Sequence, residues 1–109
     1  MRSVDELLAF DFYGNLLTER MRNTMDMYLN DDMSLSEIAD SENISRQGVH
    51  DTVKRAEKLL DEYEEKLGLV ERFKTERIKV EKAIKFLDMG DTEAARRLLS
   101  EIKNDLITE

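Results

Sequence analysis

The sequence predicts an all-α chain, and three observations carry that prediction. Its 109 residues contain no proline and only 4 glycines, so little interrupts a helix. Charged residues make up 39% of the chain, a composition suited to long helices with solvated outer faces. Apolar residues recur at spacings of three and four over most of the length instead of alternating. A chain this short makes one domain, or a small domain with a helical extension, and buries a modest core to which self-association would add.

The first helix is expected from about Ser3 to Asn15, with Ser3 as cap, Glu6 three residues on, and Leu7, Leu8, Phe10, Phe12 and Leu16 as its apolar positions. Phe10, Phe12 and Tyr13 are too crowded to face one core, so they either cover the rest of their own chain or meet a second subunit. Thr18 opens a second helix, in which Met21, Met25, Tyr28 and Leu29 form a core-facing stripe. Asn30, Asp31 and Asp32 then form a solvated turn. They lack the alternating ligands, central glycine and distal glutamate of a calcium loop.

The stretch SLSEIADSENISRQGVHDTVKRAEKLL, beginning at Ser34, is the centre of the chain. Leu35, Ile38 and Ala39 form one apolar set, and Ile44, Val49, Val53 and Ala56 form another, with a polar break between them. Ser34 and Glu37 are spaced as a capping box, Asn43 suits a left-handed exit, and Ser45 caps the next helix. Ala39 is the small residue at which the two helices approach. This is a helix-turn-helix pattern over about 34–56, whose second helix places its early residues against base edges in the major groove. Leu59, Leu60, Tyr63 and Leu67 continue its apolar face, so the helix should run from Arg46 to Leu67 and end at Gly68. A domain of residues 1–68 is followed by an extension, 69–109. There Val70, Phe73, Ile78, Val80, Ala83, Ile84 and Leu87 mark one helix, and Asp91 caps another bearing Ala94, Ala95, Leu98, Leu99, Ile102 and Leu106. Together these make a helical hairpin suited to dimerisation or to docking a partner.

Charge restricts the partners. The chain holds 17 Lys and Arg against 25 Asp and Glu, a net charge of −8, whereas a free-standing nucleic-acid binder usually carries a basic face. The whole deficit lies in residues 1–68, with 8 basic and 16 acidic residues, because residues 69–109 hold 9 of each. Arg46, Lys54, Arg55 and Lys58 are available for a local basic patch, opposed by Asp51 and the run from Asp61 to Glu65. Weak, salt-sensitive DNA binding is the expectation.

Catalysis has little to draw on. There is no cysteine, hence no disulfide, zinc-thiolate site or thiol nucleophile, and His50 is the single histidine. No phosphate-binding glycine loop or dinucleotide fingerprint occurs, and the many acids are scattered along helical faces. The expectation is a protein that is not an enzyme and has no cofactor or metal. His50 is expected on the exposed side of its helix, touching a base or phosphate or simply solvated. The start MRSVDELLAF carries acids and no long apolar run, unlike a signal peptide, and no segment reaches the roughly 20 apolar residues of a membrane span, so a cytoplasmic location is expected.

From Leu17 onward the chain looks like region 4 of bacterial sigma factors. More closely, the blocks FDFYGNLLTERMR, DDMSLSEIA, ISRQGVHDTVKR and EKLLDEYEEKL resemble the YlxM-like family, small helix-turn-helix proteins of Gram-positive bacteria. The match departs from the family pattern at Gly48, where a small non-glycine residue is common, and at His50, where an aromatic is usual. The resemblance implies a sigma-region-4-like helix-turn-helix bundle and, through neighbouring genes, a link to the signal recognition particle pathway with a regulatory role. Two functions follow. In the first, Ser45, Arg46, Gln47, His50, Lys54 and Arg55 bind DNA, with arginine and glutamine suited to guanine and adenine edges. In the second, the fold is an interaction module for the particle's protein or RNA. The polar residues of the motif's second helix favour the first, and the acidity favours the second.

Overall fold

The computed structural model describes residues 4–107, and among them lie six α-helices and no strand. The chain divides into two compact units, Met1–Val70 and Glu71–Glu109. The first contains α1 (Val4–Tyr13), a short 3₁₀ turn (Gly14–Leu16), α2 (Glu19–Leu29), α3 (Leu35–Glu42) and α4 (Arg46–Leu67). Ser3, the expected cap of α1, lies outside the described residues.

Local chemistry sets nearly every helix end. The hydroxyl oxygen of Thr18 accepts the Met21 N–H at 3.2 Å at the start of α2. A full capping box opens α3: Ser34 Oγ accepts the Glu37 N–H at 3.1 Å, and the Glu37 carboxylate accepts the Ser34 N–H at 2.9 Å. Asn43 ends α3 in the left-handed conformation, at φ 56°, and Ser45 Oγ accepts the Gly48 N–H at 3.0 Å to start α4. Only α1 departs from the expected course. It stops at Tyr13, two residues early, and the tighter 3₁₀ turn changes the phase of the chain. As a result Leu17 is buried at 6% exposure, while Leu16, expected inside, is 55% exposed.

The core of this unit is built around α4, which packs against α1, α2 and α3. Met25 of α2, Ile38 of α3, and Val49 and Ala56 of α4 are all 0% exposed. Each large apolar side chain so buried contributes on the order of 1.5–3 kcal/mol relative to exposure. The crowded aromatics divide: Phe10 and Tyr13 enter the core three residues apart on one face of α1, and Phe12 stays outside at 41% exposure.

Tyr13 does more than fill space. Its hydroxyl donates to Glu64 Oε1 at 2.6 Å and accepts the Leu69 N–H at 3.0 Å, while the same Glu64 oxygen accepts the Val70 N–H at 2.9 Å. Leu69 and Val70 begin α5 (Leu69–Asp88), so these are helix-start donors with no intrahelical acceptor. A tyrosine from α1 and a glutamate from α4 therefore satisfy the start of α5. Gly68 supplies the sharp turn between α4 and α5 at φ 64°, a conformation costing another L-residue about 1–2 kcal/mol. Burial, then the Glu64 hydrogen bond, raises the Tyr13 pKa above the ordinary tyrosine value.

The second unit is a helical hairpin made by the rest of α5 and α6 (Thr92–Ile107). Asp91 Oδ1 accepts the Ala94 N–H at 3.1 Å and caps α6. Ala83, Ala95 and Ile102 are the buried hydrophobic residues described in it. Polar contacts hold its open end, where the Arg72 guanidinium donates to the Asp105 carbonyl and Lys79 Nζ donates to the Asp105 carboxylate at 2.7 Å. That lysine holds Asp105 below the ordinary aspartate range, whereas burial and then Asp105 itself push Glu76 up. Among the described residues, no helix is long and apolar enough to cross a membrane.

Replacing Tyr13 with phenylalanine keeps the ring, removes one of the donors to Glu64, which retains the Val70 N–H, and takes away the acceptor of the Leu69 N–H. Tyr13→Phe should lower the unfolding free energy by about 1–3 kcal/mol, read as a lower urea midpoint with an unchanged slope.

Candidate nucleic-acid interface

Two short helices meeting at a tight turn determine what α4 can offer. Ile38 and Ala39 of α3, 0% and 6% exposed, pack with Val49 and Val53 of α4 in one core. A further tie lies behind them, where the fully buried Thr24 of α2 donates its hydroxyl to Glu42 of α3 at 2.9 Å. With Val49, Thr52, Val53, Ala56 and Leu60 directed inward, the opposite arc of α4 is left to solvent.

Arg46, Gln47, Lys54 and Arg55 are exposed on that arc, and His50 is half-buried at its edge. Successive residues advance about 100° round a helix, so Arg46, His50, Lys54 and Gln47 share one quadrant, whereas Arg55 stands about 180° from Arg46. The five expected site residues on the helix therefore span the solvent arc. Ser45 lies just before the helix, where its hydroxyl oxygen forms the cap. Lys54 Nζ is 3.5 Å from Glu57, a solvent-exposed ion pair that leaves the lysine 64% exposed.

Asp51 is the residue that spacing alone undervalued. Gln47 Nε2 donates to its carboxylate at 2.9 Å, and His50 Nδ1 lies 3.5 Å from the same oxygen. His50 Nδ1 is shielded from solvent and has no hydrogen-bond partner. The four-residue spacing of Gln47 and Asp51 was the available signal for this contact. His50 thus leans on its neighbour instead of standing free. Among the described residues, no group of three His, Asp or Glu is placed to hold a metal ion.

Charge is graded along α4. Residues 46–58 carry four basic side chains (Arg46, Lys54, Arg55, Lys58) against two acidic ones (Asp51, Glu57). Residues 59–67 carry Asp61, Glu62, Glu64 and Glu65 against Lys66. Next to the basic end, α3 exposes Glu37 and Asp40. Hydrogen bonds from the backbone and hydroxyl of Ser34 hold Glu37 below the ordinary glutamate value.

Gly48 is not demanded by packing between helices. A Cβ built there meets Ser45 Oγ at 3.2 Å and Ile44 Cδ1 at 3.9 Å and no atom of another helix. The Ser34–Glu37 pair has the same cap-to-third-residue geometry with a full side chain in place, so the contact with Ser45 is one a cap tolerates. Glycine here leaves bare backbone on the flank of α4 that also carries Arg55.

Comparison with known proteins gives a consistent result. Residues 3–105 match the family model described as "Putative helix-turn-helix protein, YlxM / p13 like". The chain is 52% identical over 81 residues to a UPF0122 protein of Desulforamulus reducens, covering 74% of this chain and 69% of the relative. It is 52% identical over 86 residues to a UPF0122 protein of Acetivibrio thermocellus, covering 76% and 74%. A UPF0122 protein of Symbiobacterium thermophilum is 41% identical over 104 residues, 94% of this chain and 97% of its own.

Two outcomes follow from this geometry. Gly48→Ala should raise the thermal midpoint, since glycine inside a helix costs roughly 1 kcal/mol relative to alanine. The carboxylate of Glu37, with its pKa lowered in the fold, stabilises the protein above the ordinary glutamate value, and this contribution is lost as pH falls through the lowered one. Glu37→Gln keeps a capping acceptor and should flatten that part of the acid-side stability profile, measured by urea denaturation over a pH series.

Proposed function

The chain belongs to the YlxM / p13-like family of helix-turn-helix proteins, and on that footing we propose that it is a cytoplasmic, homodimeric regulator that binds DNA through the first three turns of α4. The observation that carries this reading is the charge pattern. Within a chain of net charge −8, the solvent arc of residues 46–58 bears four cations and two acids. That arc is the part of a helix-turn-helix that enters the major groove. Arg46 and Gln47, at the start of α4, are the readers of base edges; His50 supports them, and Lys54, further along the same quadrant, and Arg55, on the flank beyond it, take phosphates. Ser45 holds the helix start in place. Gly48 lets the nucleic-acid backbone approach on the Arg55 side.

Affinity is limited by design of the same surface. Asp51, held by Gln47 at 2.9 Å, sits among the proposed contacts, and Glu37 and Asp40 of α3 lie on the helix that would cross the phosphates. Binding is therefore weak and salt-sensitive, and a regulatory role belongs with a partner. The resemblance noted above supplies one, the signal recognition particle pathway. The acidic outer face of α3 favours a second reading, contact with the particle's protein or RNA and no DNA, in its protein form, since acids oppose RNA phosphates as they oppose those of DNA.

The test is binding of a labelled random-sequence duplex and of assembled signal recognition particle, each across a salt series. Arg46→Ala with Lys54→Ala should weaken DNA binding by about 1–3 kcal/mol per lost contact and lower the salt slope by about one for the phosphate contact. Asp51→Asn should strengthen non-specific binding, and Gly48→Ala should weaken it while stabilising the fold. A parent protein that ignores DNA but binds the particle, with affinity untouched by the double substitution, overturns the DNA reading in favour of the second.

A further inference from the structure

An aspartate stands at the middle of the surface that α4 offers to DNA. At about 100° per residue, the direction opposite Val49, Val53, Ala56 and Leu60 falls between Gln47 and Asp51, while Arg46 and His50 stand nearer the edges of the arc. Both central side chains are exposed, and Gln47 Nε2 donates to Asp51 Oδ1 at 2.9 Å. His50 Nδ1 lies 3.5 Å from the same oxygen, so two side chains of its own helix flank the carboxylate. A carboxylate can only accept hydrogen bonds, so the end of the Gln47 amide turned towards it must be the nitrogen. One N–H of Gln47 is thereby committed. Its carbonyl oxygen and its second N–H remain for a ligand.

We infer that Asp51 is a positioning residue: it fixes which way round the Gln47 amide enters the major groove, so that Gln47 reads an adenine on one strand only. The inference rests on the DNA reading given above and names the base recognised. An amide with one acceptor and one donor is matched on both by adenine, which presents an exocyclic amine beside a ring-nitrogen acceptor. Guanine offers two acceptors there, thymine an acceptor and a methyl group, and cytosine a donor alone. Exchanging A·T for T·A reverses the order of donor and acceptor along the groove. A free amide follows by turning over, whereas one held at its nitrogen by Asp51 must give up that bond to do so. Charge supports the assignment. A carboxylate near phosphates lowers affinity for every sequence alike, and the four-residue bond to Gln47 adds little to an exposed helix by itself. Asp51 thus weakens binding in general and sharpens it for one base.

Selection of bound duplexes from a random-sequence pool by the full chain at low salt, followed by titration of the enriched duplex by fluorescence anisotropy, tests this. The parent should enrich A·T at one position. Exchanging that pair for T·A, or placing there a deaza-adenine whose major-groove ring nitrogen is replaced by CH, should weaken binding about tenfold. Asp51→Ala should bind both orientations more tightly than the parent and separate them by about twofold or less. Asp51→Asn keeps an oxygen for the Gln47 N–H and removes the charge, so it should retain the preference while gaining affinity. Gln47→Ala should lose the preference. Both positions are exposed, so helical circular dichroism should be unchanged in all three variants. A parent that binds duplexes with no preferred adenine, a preference that outlives Gln47→Ala, or an Asp51→Ala protein that keeps the full preference leaves the DNA reading standing and overturns the role of Asp51. A parent that binds no duplex overturns the DNA reading and this inference together.

Discussion

The amino-terminal unit depends on the burial of one stripe of α4. Val49, Val53, Ala56 and Leu60 meet side chains from α1, α2 and α3, and every other helix of the unit is positioned by what it places against them. A helix of 22 residues, about 33 Å long, has far more surface than three short helices can cover. The uncovered arc is thus a necessary product of the packing, and its residues meet solvent and one another. Tyr13 and Glu64 extend the same logic to the far end, where α4 and α1 together hold the first amides of α5.

Electrostatics gives the surface a character that packing cannot. Surface ion pairs such as Lys54 with Glu57 contribute little to stability, so the distribution of charge on the solvent arc is nearly free to serve recognition. Cations gather in residues 46–58, whereas acids lie on α3 and on the later turns of α4. Asp51 interrupts the cationic stretch.

Features governed by neighbours in sequence were legible before the structure. Ser34 with Glu37, Asn43, Ser45, Gly68 and Asp91 mark helix ends through contacts within a few residues, and each occupies its expected place. The exposed side of α4 followed from helical period in the same way. What could not be read depends on partners brought together by the fold. Nothing near Tyr13 announces a carboxylate 51 residues away, and the Thr24–Glu42 bond likewise joins residues from separate helices. The early end of α1 was hidden because Leu16 and Leu17 suit a core equally, and the 3₁₀ turn alone chooses between them. On the arc itself, the lean of His50 towards Asp51 is a matter of rotamers, which spacing does not specify.

The order of charges on α4 has one further consequence. A helix is most comfortable with acids at its amino end and cations at its carboxyl end, because its peptide dipoles sum in that direction. On α4 the first turn holds Arg46 and no acid, and among the acids of the later turns the last turn offers only Lys66 as a cation. Side-chain charge and backbone dipole therefore point the same way, positive towards Arg46, and reinforce each other in the surrounding solvent. The amino end of α4 is accordingly the place on this acidic chain where an anion meets least opposition, an effect confined to the first turn.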